Sequence, residues 1–452
     1  MTTVLAFLFA LGVLVAVHEY GHYRVAVACG VKVLRFSIGF GPVLWRRQPR
    51  VNGTEFTVSA IPLGGYVKML DEREAPVPED QRHRAFNTQP LRARVAIVAA
   101  GPLANLLLAI VLYSVVAWTG VSEPVAVLAQ PAVGSLSAEA GIKAGDKVLT
   151  AGVDADSMQT VQSFDELRWL VIKAALGGDN LVLEVQAPAG GSVRQVELNL
   201  ASLHAAEVDN ATLHRIGMLS PYIPAEVASV VPGSAADKAG LKAGDRVLSV
   251  DQRPIVDWVQ LVELIRASGQ RGEPGAQQWL VDRAGVNQLL SITPVRRAEG
   301  DKFVWQVGVV GQRPAMTLVR RGPLAGVAHG LERTWDMASL GLQMLGRMLT
   351  GRASVKNLSG PLTMADMAGK TASLGLQEYL NFLAYISVSL GILNLLPVPI
   401  LDGGHLMYYL WEGVKGKPLS EVWMDRLQRG GLAVLVLMML VALFNDVTRR
   451  LG

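Results

Sequence analysis

The chain has 452 residues, half of them hydrophobic, a mean hydropathy of +0.32 and a formal net charge of +4. That hydropathy excludes an ordinary soluble protein and points to several membrane segments. Its basic residues concentrate beside apolar segments, as membrane flanks do, so the charge speaks for a lipid bilayer as partner and against nucleic acid. Cys29 is the only cysteine, which rules out intrachain disulfides and a cysteine-based metal site.

Residues 1–28 read as a first membrane segment. Met1-Thr2-Thr3 carries no basic side chain and His18-Glu19 interrupts the apolar run, so the segment is expected to be retained rather than cleaved as a signal peptide. Toward its end stands His18-Glu19-Tyr20-Gly21-His22. On a helix, residues four apart lie about 40° apart around the axis and one turn apart along it. The two imidazoles can therefore face one metal ion, with Glu19 to one side near a water on that metal. Ionisable groups inside an apolar helix are costly, which makes them a functional hypothesis by default.

Residues 29–94 are neither apolar nor disordered. Arg35 to Pro42, Glu55 to Pro62 and Leu63 to Met69 alternate apolar and polar residues between Gly and Pro, which predicts short strands with tight turns beside the membrane. Residues 24–94 hold twelve Lys and Arg against six Asp and Glu. A second span follows at 95–119 and opens with the small-residue patch Ala99-Ala100-Gly101-Pro102-Leu103-Ala104-Asn105. The patch suits close helix packing or a place beside an active site.

From 121 to 313 the apolar runs shorten to strand length and an internal repeat emerges. Residues 134–149 align without gaps on 233–248, with ten of sixteen positions identical at an offset of 99. That offset is the size of a small domain, so residues 121–217 and 218–313 read as two tandem β-rich domains of one kind. Amphipathic helices are expected at 163–175 and 257–267. In the helix region 323–375, Leu324, Val327, Leu331, Trp335, Ala338, Leu342, Leu345 and Leu349 make one apolar stripe between Pro323 and Thr350, while Glu332, Arg333, Asp336 and Arg347 argue against a span. The stripe predicts a helix lying on the membrane or on the protein.

A third span occupies 376–404, ending in Asn394-Leu395-Leu396-Pro397 and Leu401-Asp402-Gly403-Gly404-His405, and a fourth lies at 427–447. With four spans, the Lys/Arg-rich stretches 24–94 and 415–429 share one side, which the positive-inside rule makes cytoplasmic. Both termini and the tandem domains then lie outside the cytoplasm. A catalytic zinc site needs a third protein ligand and an open position. Asp402 is the other ionisable residue at the cytoplasmic edge of a span, beside a Gly-Gly pair that permits close backbone approach. The carboxylate at the Gly-Gly turn is the favoured third ligand, with capping of the next helix as its structural alternative and His405 as the competing ligand.

Taken together, His18-Glu19-Tyr20-Gly21-His22, Gly39-Phe40-Gly41-Pro42, the 62–69 stretch with Gly64 and Gly65, Asn394 to Pro397 and Leu401 to Gly404 resemble the site-2 protease family of intramembrane zinc metalloproteases. The match runs in order over essentially the whole chain. It implies a multi-pass α-helical membrane protein of four transmembrane helices, with membrane-associated β-structure and two tandem PDZ-like extracytoplasmic domains, in a bacterial inner membrane. It implies Zn²⁺ on His18, His22 and Asp402, Glu19 as catalytic base, and Asn394 against the substrate backbone. By the same resemblance, Gly39, Phe40, Gly41, Pro42, Gly64 and Gly65 receive the unwound substrate by strand pairing. The implied substrates are single-span proteins, notably an anti-sigma factor already trimmed outside the membrane, and leftover signal peptides. The PDZ-like pair would capture peptide tails or filter substrates by size; the helix after Pro323, with Ser359-Gly360-Pro361, would gate entry or serve as a strut. A membrane-tethered scaffold with a degenerate metal site is the alternative reading. A metal transporter would need ionisable residues on several spans, and the second and fourth offer almost none.

Overall fold

Among the described residues four helices are long and apolar enough to cross a membrane by length and composition: Thr2–Ala28 (α1), Leu91–Thr119 (α2), Leu376–Leu395 and Val422–Thr448. At about 1.5 Å per residue even the shortest, of 20 residues, reaches roughly 30 Å, the depth of a hydrocarbon core. The computed structural model describes residues 2–49, 53–205, 208–218, 220–268, 275–299, 302–350 and 360–451. It comprises two units, Met1–Val121 with Arg320–Gly452, and Ser122–Val319.

In the first unit α1 and α2 pack through small residues. A Cβ on Gly21 would stand 2.4 Å from the Ala100 carbonyl and 2.8 Å from the Ala104 methyl, so glycine is what allows the approach. Between these helices the chain makes two 15-residue strands, β1 (Val33–Arg47) and β2 (Glu55–Met69). The expected short strands are thus continuous. Gly39, Gly41 and Gly64 take positive φ (88°, 84° and 110°) and bend the pairing instead of ending it. Residues 35–38 pair with 65–68 on one side and 55–58 on the other, while Val43 to Arg47 pair with Ser59 to Phe56. The outcome is a small curled sheet. Tyr23 of α1 seals its inner end against Phe36 and Phe56, while Leu44 and Trp45 remain exposed.

The second unit contains two four-stranded antiparallel sheets. One orders its strands Gln159–Thr160, Lys147–Gly152, Leu181–Gln186, Val193–Leu198; the other Arg253–Pro254, Arg246–Val250, Gln277–Arg283, Val286–Ile292. The aligned repeats fold alike. Ser135 and Ser234 cap one-turn helices α3 (Leu136–Glu139) and α6 (Ala235–Lys238); Ser163 and Asp257 cap α4 (Phe164–Gly177) and α7 (Trp258–Ala267). A seven-residue helix, α5 (Asn210–Ile216), lies between the repeats. Asp146 and Asp245 are fully buried, and each accepts the backbone N–H of the lysine three residues before it, at 2.8 Å. Arg194 and Arg283 then clamp the respective carboxylates and donate to the carbonyls of Gly141 and Gly240. Burial raises the Asp245 pKa, but the Arg283 guanidinium and the Lys242 N–H outweigh it and hold the carboxyl below its usual range.

Returning to the first unit, α8 (Pro323–Leu349) turns its small face to α2: a Cβ on Gly326 would strike Trp118 and one on Gly330 would strike Ser114. Leu324, Val327, Leu331, Trp335 and Leu342 of the apolar stripe face away, with Leu324 at 87 % and Trp335 at 72 % exposure, while Ala338 packs inward. Within the 323–375 region a further helix, α9 (Pro361–Leu374), follows; Ser359 lies outside the described residues. The start of α9 is held by Asp446 on α12 (Glu421–Leu451). That carboxylate, 2 % exposed, accepts the N–H groups of Gly360, Leu362 and Thr363 at 3.0–3.1 Å and the Thr363 hydroxyl at 2.5 Å. The third span, α10, ends at Leu395. Pro397 and Pro399 lack the N–H that would carry it on, and α11 (Asp402–Lys415) begins at Asp402.

Candidate metal centre

One turn apart on α1, the His18 and His22 rings stand edge to face, with centroids 4.8 Å apart. The break after α10 brings the first residue of α11 to the same point. His18 Nε2 lies 3.2 Å from Asp402 Oδ2, His22 Nε2 lies 3.5 Å from it, and the two Nε2 atoms are 3.2 Å apart. Donors held about 2.0–2.1 Å from a tetrahedral zinc stand about 3.3 Å from one another, so the three atoms mark one face of such a site. His22 Nδ1 lies 2.8 Å from the Ile97 carbonyl, an oxygen that can only accept. The ring proton therefore sits on Nδ1, and the Nε2 lone pair points at a carboxylate oxygen and a second imidazole. A cation between them resolves that convergence of acceptors. The three side chains keep 12–20 % of their surface accessible. Among the described residues this is the one group of three or more ligating side chains close enough to share an ion.

The second helix makes the wall of this site. A Cβ on Gly101 would lie 2.3 Å from His22 Nε2 and 2.8 Å from His18 Cε1, so both imidazoles occupy space that only glycine leaves free. Asn105, one turn on, is 1 % exposed and meets His18 Nδ1 at 3.4 Å. Sequence reasoning marked the Ala99–Asn105 patch without separating packing from function. The available signal was Asn105 itself, a polar amide within an apolar span.

The remaining sequence-derived positions divide into two groups. Gly65 of β2 touches the site: a Cβ there would meet Glu19 Cγ at 2.9 Å and the Ser37 carbonyl at 2.7 Å. Glu19, next to His18 on α1, thus lies against the curled sheet. Gly64 backs onto the Phe40 ring, which stacks on Tyr66 at 6.1 Å. Gly39, with the Ile61 and Ser59 carbonyls close behind it, turns the strand; Gly41 and Pro42 continue into its exposed half. Asn394 is half-buried in the last turn of α10, and among the described residues its side chain makes no hydrogen bond to the cluster. His405, the competing donor, follows Asp402 by three residues and lies outside the ligating group. Burial lowers its pKa below the ordinary imidazole value; Asp402 opposes the shift and Arg73 adds to it.

Apolar helices long enough to cross a bilayer, together with two imidazoles, a carboxylate and a neighbouring glutamate, define a membrane-embedded zinc metalloprotease. Comparison with known proteins agrees. Residues 6–438 match Peptidase family M50. The chain is 42 % identical over 463 residues to a Ralstonia nicotianae protein named as a zinc metalloprotease, with 99 % of both chains covered. It is 42 % identical over 453 residues to the regulator of sigma-E protease RseP of Escherichia coli (98 % of both chains), and 39 % identical over 459 residues to protease RseP of Yersinia pestis (98 % of both). The chain belongs to peptidase family M50, the site-2 protease family, and its cofactor is Zn²⁺.

Proposed function

We infer that this metalloprotease hydrolyses peptide bonds within or near the membrane segment of single-span proteins, with an anti-sigma factor already trimmed outside the membrane as the principal substrate and leftover signal peptides as a second class. The observation that carries the reading is the convergence of His18 Nε2, His22 Nε2 and Asp402 Oδ2 at 3.2–3.5 Å separations, with Glu19 the residue after His18. In this reading those three side chains hold the zinc. When bound, zinc supplies Lewis acidity, polarising the scissile carbonyl and lowering the pKa of a water from about 15.7 to about 7. Glu19 takes the proton from the attacking water and delivers it to the leaving amine. A helical substrate keeps its carbonyls in hydrogen bonds and must first be drawn into a strand. The curled sheet beside Glu19 supplies an edge for that pairing, and Asn394 holds the substrate backbone.

Residues 121–217 and 218–313 act as PDZ-like modules on the periplasmic side, filtering out substrates that still carry a large external domain. Both termini are periplasmic, and the active site lies toward the cytoplasmic side of the inner membrane, because residues 24–94 and the loop before α12 are rich in Lys and Arg. The test is reconstitution of the full chain in liposomes with a single-span substrate. Glu19→Gln should retain zinc and cleave at least about 10²-fold more slowly, whereas His22→Ala and Asp402→Ala should lose zinc. Equal cleavage by wild type and Glu19→Gln overturns the catalytic assignment, and full zinc content in Asp402→Ala overturns the third ligand.

A further inference from the structure

Resting on the ligand reading above, we propose that Asn105 is a positioning residue for His18: its amide oxygen accepts the Nδ1–H of that imidazole and so selects the tautomer that leaves Nε2 free for the metal. The two imidazoles of the cluster pose one shared problem. A neutral histidine carries its proton on Nδ1 or Nε2, and only the Nδ1 form presents an Nε2 lone pair to a cation. For His22 the Ile97 carbonyl settles the choice at 2.8 Å. For His18 the only hydrogen-bonding group at Nδ1 among the described residues is the Asn105 carboxamide, 3.4 Å away.

With its NH₂ toward His18, the amide leaves Oδ1 buried with no hydrogen-bond partner among the described residues. That orientation needs the His18 proton on Nε2, pointing at His22 and Asp402, where it would occupy the metal's place. Amide nitrogen and oxygen have the same shape, and their assignment follows the hydrogen-bond network. Turned by half a revolution, the oxygen faces Nδ1 and accepts its proton, while Nε2 is released toward the cluster. Ile97, Gly101 and Asn105 then form one stripe on α2 at intervals of four residues: a ring acceptor, a gap for the rings, and a second ring acceptor. Asn105 is itself held in place, since the fully buried Ser387 hydroxyl on α10 donates to its backbone carbonyl at 2.7 Å. An outer partner of this kind fixes ring orientation and raises ligand basicity.

The test measures zinc affinity of the purified full-length protein by chelator competition, alongside thermal stability of the metal-free protein. Asn105→Leu removes the acceptor at similar volume and should weaken zinc about 10- to 100-fold. Asn105→Asp restores an acceptor and should bring the affinity back to within a few-fold of wild type. Wild-type affinity in Asn105→Leu overturns the proposal. Equal loss in both variants, accompanied by a lower melting temperature of the metal-free protein, also overturns it and assigns Asn105 to helix packing. His18→Ala is the control. If it keeps zinc, the ligand reading itself fails; if it loses zinc while Asn105→Leu does not, only the positioning role fails.

Discussion

Substituting Gly101 by alanine tests the site geometry most directly, because the added methyl has nowhere to go. Its carbon would lie 2.3 Å from His22 Nε2, 2.6 Å from His22 Cε1 and 2.8 Å from His18 Cε1. Ordinary contact begins near 3.4 Å, so one ring must retreat by about 1 Å or α1 must part from α2. The second route would also pull Gly21 away from its close contact with Ala100 and forfeit that packing. The strain therefore falls on the imidazoles and opens their separation from 3.2 Å. A displacement of about 1 Å in a catalytic group costs roughly 10²-fold in rate. Zinc affinity by chelator competition and cleavage of a reconstituted single-span substrate should both fall by that order, with Gly101→Val worse. Wild-type zinc affinity and rate in Gly101→Ala would refute the packing argument and place the rings elsewhere in solution.

Three further outcomes follow from contacts outside the ligand set. Gly65→Ala crowds Glu19 Cγ without touching a metal donor, so cleavage should drop by roughly 10²-fold while zinc content, read by atomic absorption, stays at the wild-type level. Asp446→Ala strips the start of α9 of its acceptor and should raise hydrogen exchange of amides 362–374 by about 5- to 150-fold, corresponding to roughly 1–3 kcal/mol. Asp245 has a folded-state pKa below its unfolded value. Its clamp with Arg283 is therefore fully stabilising above about pH 3.9 and is lost as pH falls from there through the lower folded value. Exchange protection of residues 240–250 should collapse over that window in the wild type and show no such step in Asp245→Asn.

The four apolar helices were legible because length and composition suffice to recognise a span. Their ends were not. The second helix starts at Leu91, before the expected residue 95, and takes in Arg92 and Arg94. Arg94 is tolerated there because Glu412, 318 residues further along the chain, accepts both arms of its guanidinium at 3.1 and 2.6 Å and the Tyr409 ring lies beneath it. The curled sheet was read as separate short strands because local alternation reports where pairing occurs, not that two long strands bend back at glycines to make all of it. On α8 the leucine stripe was legible, but the sequence left open whether it faces the membrane or the protein. A helix beside a bilayer can bury its glycines and leave its leucines exposed, which reverses the rule for soluble proteins.

The same division runs through the polar groups. By itself the sequence determined the donor types, the one-turn spacing of His18 and His22, and the repetition of an aspartate at 146 and 245, since each of these is a local regularity of the chain. Only the tertiary structure decided their partners. Arg194 and Arg283 occupy unlike offsets from their aspartates, 48 and 38 residues, so the alignment that revealed the repeat could not pair them. Asp402 reaches His18 because proline ends α10 short and starts a new helix at the cluster. Gly101, Ile97 and Asn105 join the site through the packing of α2 on α1. Helical periodicity acts over a few residues, whereas the contacts that set a tautomer or complete a ligand set depend on which helix face is pressed against which.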